Sequence, residues 1–505
     1  MLVIDYLDRA ARQWPDKAAY VDEERSITFA QLQEESWTLA TAILKSGCHR
    51  QPVAVYLDKS VTCVAAFLGV ACSGNFYTPV DTKMPRQRIE KIIETLRPHL
   101  VITDRVHREA AAAFAGQAEI LCLEDIRLQG LDRDVVQASI KSTVDTDVLY
   151  VMFTSGSTGV PKGAILSHRA VADFVEWVTE CFKLDETVII GNQEPFYFSG
   201  SIFDIYVPLV VGGTTHIIPR EAFSFPTVLM QFLFDRHINT IGWVPSAMNM
   251  ISILGALHAP YLPELRHVQF GGEVMPMKQL NRWREAYPNV RFVNMYGPTE
   301  AADTCTYYIV DRPFADIEPL PIGRACKNKD VFLLDEEDRL IQEPELVGEL
   351  CVRGTGIAYG YYNAPEQTEK NFVQNPLQSA FAEKIYRTGD LATYNEYGEL
   401  VYVSRKDFQI KHMGNRIELG EIETAASSVE GVESCACLYD AQHSKIVLFY
   451  TGSIESRDVK GALAGLLPDY MRPNRATRLD TMPLNLNGKV DRIKLKGYVE
   501  KGKVE

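Results

Sequence analysis

Residues 154–163, TSGSTGVPKG, concentrate groups that can handle a phosphate. They include the hydroxyls of Thr154, Ser155, Ser157 and Thr158, the glycines Gly156 and Gly159, and the amine of Lys162. Glycine allows close backbone approach, so such a loop can turn N–H groups and hydroxyls toward phosphate oxygens. The spacing is not that of the nucleotide P-loop, because no Gly-Lys-Ser/Thr follows. By itself the stretch reads equally as a flexible Gly/Ser linker.

A second cluster, NMYGPTE at 294–300, puts Tyr296 at a turn with Thr299 and Glu300 just beyond it. An aromatic face can stack on a purine, and a carboxylate after a phosphate loop suits Mg2+, which takes one or two carboxylates plus phosphate oxygens. A third, YRTGD at 386–390, is followed by Arg405, a pairing that can serve ribose hydroxyls or a phosphate. In a fourth, NLNGKVD at 485–491, Lys489 follows Asn-Gly, a turn that can present its charge outward. Each of these, taken alone, also reads as a solvated turn.

The elements that must carry these clusters alternate. Runs at 53–57, 100–103, 119–123, 188–191, 240–244 and 268–270 have strand character, and the apolar run at 148–153 delivers the first loop. Between them, 61–73, 85–96, 167–182, 226–237 and 277–287 have helical spacing. Alternation of this kind predicts an α/β fold with parallel sheets covered by helices. From about residue 319 short strands and turns predict a small β-rich subdomain, and the tail reads as a small α+β unit. The polar segment 404–407 is expected to be a turn marking the boundary. Neither internal repeats nor low-complexity tracts interrupt this order.

Bulk properties narrow the class. At 505 residues the chain is too long for one ordinary core. A net charge of −14 argues against nucleic acid or an anionic membrane surface as the main partner. Ten scattered cysteines without a C-x-x-C pair read as reduced thiols. The N-terminus lacks a signal-peptide pattern, so a cytoplasmic location is expected.

In this order, the four clusters resemble the acyl-adenylate-forming superfamily, and most closely the amino-acid adenylation domains of nonribosomal peptide synthetases. The strings YTPVD at 77–81, GGE at 271–273, GELC at 348–351 with GYYN at 360–363, RIELGEIE at 416–423 and LPDYM at 467–471 extend the likeness. The resemblance implies a core over 1–406, of two helix-covered sheets plus the β-rich subdomain. A mobile α+β lid over 407–505 follows, hinged at Asp407. It implies that Thr154, Ser155, Gly156, Ser157, Thr158, Gly159 and Lys162 cradle the ATP phosphates. Asn294 and Tyr296 contact adenine, Asp390 and Arg405 the ribose, and Glu300 the Mg2+. Thr299 lies near the α-phosphate, and Lys489 reaches the carboxylate and bridging oxygens. Attack of one anion on another makes positioning and charge neutralisation the main work. A swinging lid then admits a thiol. The chain carries no condensation-like or carrier region, so a stand-alone enzyme loading the phosphopantetheine thiol of a separate carrier protein is expected. The alternatives are a ligase using CoA and a non-catalytic acyl-binding relative.

The acid pocket departs from the family. Phe198 and Ser199 stand where Phe-Asp is usual, and that Asp normally pairs with the α-ammonium of the amino acid. A hydroxyl cannot neutralise a buried ammonium. The acid is therefore expected to lack a conventionally placed α-amino group, or its amine is taken over by Asp303. The other pocket positions implied by the alignment are Gly200, Phe203, Trp243, Gln269, Gly271, Met295 and Thr304. Asp204 reads as structural. Common L-α-amino acids should be poor substrates, and Ser199→Asp should improve their use. ATP–pyrophosphate exchange across an acid panel checks this, and strong activity with a common α-amino acid contradicts it.

Overall fold

Apolar runs bounded by turn residues become strands in this chain. The computed structural model describes residues 1–126, 130–155, 160–258, 260–406, 409–483 and 490–500. Gly156, Ser157, Thr158, Gly159, Asp407 and Lys489 lie outside the described residues. The expected strands appear as Pro52–Tyr56, Leu100–Thr103, Glu119–Cys122, Ile189–Asn192, Thr240–Trp243 and His267–Gly271. The expected helices appear as Val61–Cys72, Arg86–Leu96, His168–Phe182, Pro226–Asp235 and Met277–Ala286. Local chemistry sets several starts. Ser60 accepts from the Cys63 N–H, and Ser167 from the Ala170 N–H, which caps their helices at about 1 kcal/mol each.

The chain divides into two compact units. The first comprises Met1–Thr82, Thr95–Phe153 and Gly163–Lys406. Its nine-stranded sheet has a parallel centre in which Thr214–Ile217, Ile189–Asn192, Thr240–Trp243, His267–Gly271 and Arg291–Tyr296 are neighbours in that order. A six-stranded sheet places Pro52–Tyr56 and Phe76–Val80 at its middle, parallel and buried throughout. Runs without alternation, such as VAVY, are what strands covered on both faces require. The helix Val61–Cys72 is apolar on every side and buried along its length, as expected of an inner helix. A separate antiparallel sheet carries Lys329–Leu334, Gly348–Gly354 and Lys384–Tyr394.

One expectation fails here. Ser404 and Arg405 are not a turn but the end of the strand Leu400–Arg405, paired antiparallel with Lys384–Tyr394. Ser404 is polar because it faces solvent and Arg405 because it pairs with Asp390 across the sheet, so polarity there carries no turn signal.

The second unit comprises Lys83–Glu94, Thr154–Lys162 and Asp407–Glu505. Strands Val432–Asp440, Lys445–Gly452 and Arg475–Arg478 form its three-stranded sheet. Ile422, Leu448, Tyr450 and Leu463 are core residues of this unit. A hairpin of Gln409–His412 and Asn415–Glu418 leads into the helix Leu419–Ser427.

Burial holds three histidines of the first unit neutral: His168, His216 and His267 are each pushed down to about 4. Below pH of about 6.5 the unfolded chain takes up protons that the folded chain refuses until about pH 4. Their contribution to stability is therefore complete above that range and is lost as pH falls through it. The urea midpoint should drop between pH 7 and pH 5, and His168→Gln should shrink the drop. An equal drop in both proteins contradicts the assignment.

Candidate functional site

Parallel register assembles the site. Asn192 aligns with Gly242, Gly242 with Gln269, and Gln269 with Val293, so the four strands end together. Their carboxyl ends deliver Trp243, Gly271, Met295 and Tyr296 to one edge, the place where open α/β sheets bind ligands. The helix Ser201–Val211 starts beside Ser199 and Gly200, and a short 3-10 turn, Thr299–Ala301, follows the strand Arg291–Tyr296.

Asp390 is held from two sides. Arg405 donates to its Oδ1 at 2.6 Å, and the Tyr296 hydroxyl donates to its Oδ2. Burial, then the Asp390 charge, pushes the Tyr296 hydroxyl far above its ordinary value, so it remains a donor. The strand bearing Asp390 is irregular: Glu349 pairs with Leu391 and Cys351 with Arg387, and the bulge is turned by Gly389 at φ 73°. A glycine suits that left-handed position, and the bulge sets the direction of Asp390. The register pairs Asp390 directly with Arg405, which is why two distant residues meet. Asn294, 6% exposed, donates through its amide to the Pro321 carbonyl at 2.8 Å.

Glu300 is fully buried and accepts from the Tyr361 hydroxyl at 2.6 Å. A group of three or more His, Cys, Asp or Glu side chains fit to hold a metal does not occur among the described residues. One carboxylate is enough for Mg2+ bound mainly through phosphate oxygens, so the donor set at Glu300 fits that ion. Asp390 likewise fits a ribose, because a carboxylate offers about four lone-pair sites and the two named donors use two.

In the acid pocket, Ser199 Oγ donates to Asp303 Oδ1 at 3.0 Å and lies 3.3 Å from Thr299 Oγ1. Thr304 Oγ1 donates to Asp303 Oδ2 at 3.1 Å. Three hydroxyls and one carboxylate thus form a single network. Asp303 and Ala302 both adopt left-handed backbone, at φ 70° and 49°. Two such non-glycine residues cost roughly 1–2 kcal/mol each. Lys329, 8% exposed, offsets this by donating to the carbonyls of Ala301, at 2.9 Å, and Thr304, the two residues flanking the turn. Phe203 and Met295 are core residues, and Trp243 packs edge-on to Phe223 while its indole N–H donates to the Gly191 carbonyl at 2.8 Å. Phe198 is half-buried against Tyr197, with ring centroids 4.6 Å apart.

The remaining loop residues belong to the second unit. There Thr154 Oγ1 is 3.5 Å from the Lys162 carbonyl, and Ser155 Oγ donates to the Arg416 carbonyl at 2.5 Å. Lys162 Nζ lies 3.7 Å from Glu418 Oε1. Both ends of TSGSTGVPKG therefore meet the RIELGEIE segment. Tyr361 and Lys329 escaped the sequence reading. Tyr361 lies in the quoted GYYN string, whereas a buried lysine at a strand start leaves no periodic signal.

Residues 7–362 match the AMP-binding enzyme family. The chain is 32% identical over 495 residues to zwittermicin A synthase ZmaJ of Bacillus cereus, covering 95% of this chain and 91% of that protein. It is 30% identical over 505 residues to the D-alanine--D-alanyl carrier protein ligase of Lacticaseibacillus casei, covering 97% of each. Tyrocidine synthase 1 of Brevibacillus parabrevis is 29% identical over 491 residues, and the chain spans 44% of its length. Among solved structures, holo-PA1221, an NRPS protein containing adenylation and PCP domains, matches at TM-score 0.83 and 25% identity over 98% of this chain and 84% of that one. The o-succinylbenzoate CoA synthetase of Bacillus subtilis shares the fold at TM-score 0.84 and 17% identity, covering 97% and 98%.

Lys329→Met should leave two carbonyls unanswered and loosen the Asp303 turn. A stability loss of about 1–3 kcal/mol is expected in urea denaturation, with the KM for the acid raised on the order of tenfold. Unchanged stability and KM contradict this role.

Proposed function

Because the chain belongs to the AMP-binding enzyme family, we propose that it activates an acid whose amino group is held by Asp303, away from the usual α position, and passes the acyl group to a carrier-protein thiol. The protein is an acyl-adenylate-forming, AMP-forming acid–thiol ligase of the peptide-synthetase and carrier-ligase type, and it uses ATP and Mg2+.

The observation that carries the substrate reading is the 3.0 Å hydrogen bond from Ser199 to Asp303. It places a carboxylate next to the residue that replaces the family's acid, delivered from the turn after Glu300. Negative charge for an ammonium is thus retained, but from a different backbone origin. That change of origin is what displaces the amine. Thr299, in contact with Ser199, links this anchor to the reacting end of the acid.

In this reading Asp390, Arg405 and Tyr296 hold the nucleoside, and Thr154, Ser155 and Lys162 belong to the phosphate loop. Glu300, oriented by Tyr361, holds the metal. When bound, Mg2+ supplies positive charge where the phosphate and the carboxylate approach. Thr299 orients the carboxylate, and burial around Tyr296 and Glu300 excludes water from the adenylate. The ten cysteines form no disulfide, which supports a cytoplasmic site of action. Similarity over nearly full length to a carrier protein ligase supports a carrier as acceptor.

Asp303→Asn should raise the KM of the preferred acid by at least about tenfold, while the KM for ATP changes less than about threefold. ATP–pyrophosphate exchange measures both, and an unchanged acid KM refutes the anchor. In the same background Ser199→Asp should recover use of α-amino acids. Acyl transfer to a holo carrier protein should outrun transfer to CoA at equal concentration, and the reverse order contradicts the acceptor.

A further inference from the structure

Glu349 is a buried acid of the strand Gly348–Gly354, and its carboxylate meets the bulge that carries Asp390. Its Oε1 accepts from the Gly389 N–H at 3.3 Å. Its Oε2 accepts from Arg387 Nη1 at 2.9 Å and from Lys406 Nζ at 3.1 Å. Arg387 also donates to Asp338 through Nη2. Two carboxylates therefore face two cations, and the cluster is balanced within the chain.

A bulge interrupts the ladder, so its backbone groups need partners from elsewhere. Between the aligned pairs Glu349–Leu391 and Cys351–Arg387, side chains supply several of them. The Thr388 hydroxyl donates to the Leu350 carbonyl at 2.7 Å and accepts from the Asp390 N–H at 3.0 Å. The Gly389 N–H is answered by Glu349, and the Gly389 carbonyl by the Lys406 N–H at 2.8 Å. Glu349 thus grips Gly389 directly from its N–H side. By holding the Lys406 ammonium it also steadies the residue that grips Gly389 from its carbonyl side. Gly389 precedes Asp390, and Lys406 follows Arg405, the cross-strand partner of Asp390. Hydrogen bonds to an ionised carboxylate are roughly twice as strong as neutral ones, which suits this acid to hold an irregular backbone.

We propose that Glu349 is a positioning residue for the nucleotide: it fixes the Gly389 peptide and so aims the Asp390 oxygens at the ribose. This rests on the reading in which Asp390 holds the ribose hydroxyls. A carboxylate is needed here, and an amide does not replace it. Glu349→Gln keeps the shape, but its single oxygen serves at most two of the three donors, and Arg387 and Lys406 lose a counter-charge. A displacement of about 1 Å at a positioning group costs on the order of a hundredfold in the worst case. Ser199 and Asp303 follow strands of the nine-stranded sheet, whereas Glu349 belongs to the antiparallel one, so the effect falls on ATP and spares the acid.

The test is pyrophosphate exchange with ATP, 2′-deoxy-ATP and 3′-deoxy-ATP, using the best acid of the panel. In the wild type at least one deoxy analogue should fall below ATP in kcat/KM by about tenfold or more. Glu349→Gln should raise the KM for ATP on the order of tenfold and bring that ratio under about threefold, while the KM for the acid changes less than about threefold. A merely structural role would leave the ratio in place or raise both KM values together, and either result overturns the assignment. So does a wild type indifferent to the ribose hydroxyls. If Glu349→Gln does not fold, Lys406→Met, at an exposed side chain, decides. It should at least halve the ratio, and an unchanged ratio overturns the assignment. Asp390→Asn separates the two readings. If it keeps the ratio, the ribose reading fails. If it erases the ratio and Glu349→Gln keeps it, the Glu349 assignment alone fails.

Discussion

Charge placed at the end of a buried sheet has to be answered by charge, and the acid pocket is organised around that constraint. Asp303 sits in a left-handed turn whose backbone strain is borne by Lys329, and its two oxygens accept from Ser199 and Thr304. Hydroxyls orient a carboxylate but do not neutralise it, and in the proposed reading the amine of the activated acid supplies the charge that meets it. The adenylate end shows the opposite solution. Asp390 is neutralised within the chain by Arg405 and steadied by Tyr296, leaving it to offer lone pairs without seeking charge.

The fold makes both arrangements possible through one geometric device. Parallel strands in matched register end together, and the connections after them bring Ser199, Thr299 and Asp303 into contact. Residues separated by about a hundred positions, such as Ser199 and Asp303, touch because their strands belong to one sheet. The antiparallel sheet solves the ribose side by register as well, with Asp390 opposite Arg405 and a glycine-turned bulge setting the direction.

Much of this was legible in the sequence. Short apolar runs such as 100–103 and 240–244, set between helical segments, marked the parallel strands, since a continuous apolar run is what burial on both faces imposes. The departure at Ser199 was visible as a missing charge, and Asp303 as the nearby acid proposed to replace it, which the structure brings within hydrogen-bond distance. The segment 404–407 misled because an exposed strand end and a turn share polar composition. Lys329 was invisible for a different reason. Its role depends on which backbone carbonyls it meets across the fold, and nothing in local spacing encodes that.

The central claim is that the pocket requires an amine on the acid it activates. It is tested most directly on the unaltered protein by comparing exchange with the preferred acid and with the same acid lacking its amine. The account predicts that removing the amine lowers kcat/KM by at least about a hundredfold, because buried acceptors and charge are left unmatched. Equal exchange with the two acids would contradict it.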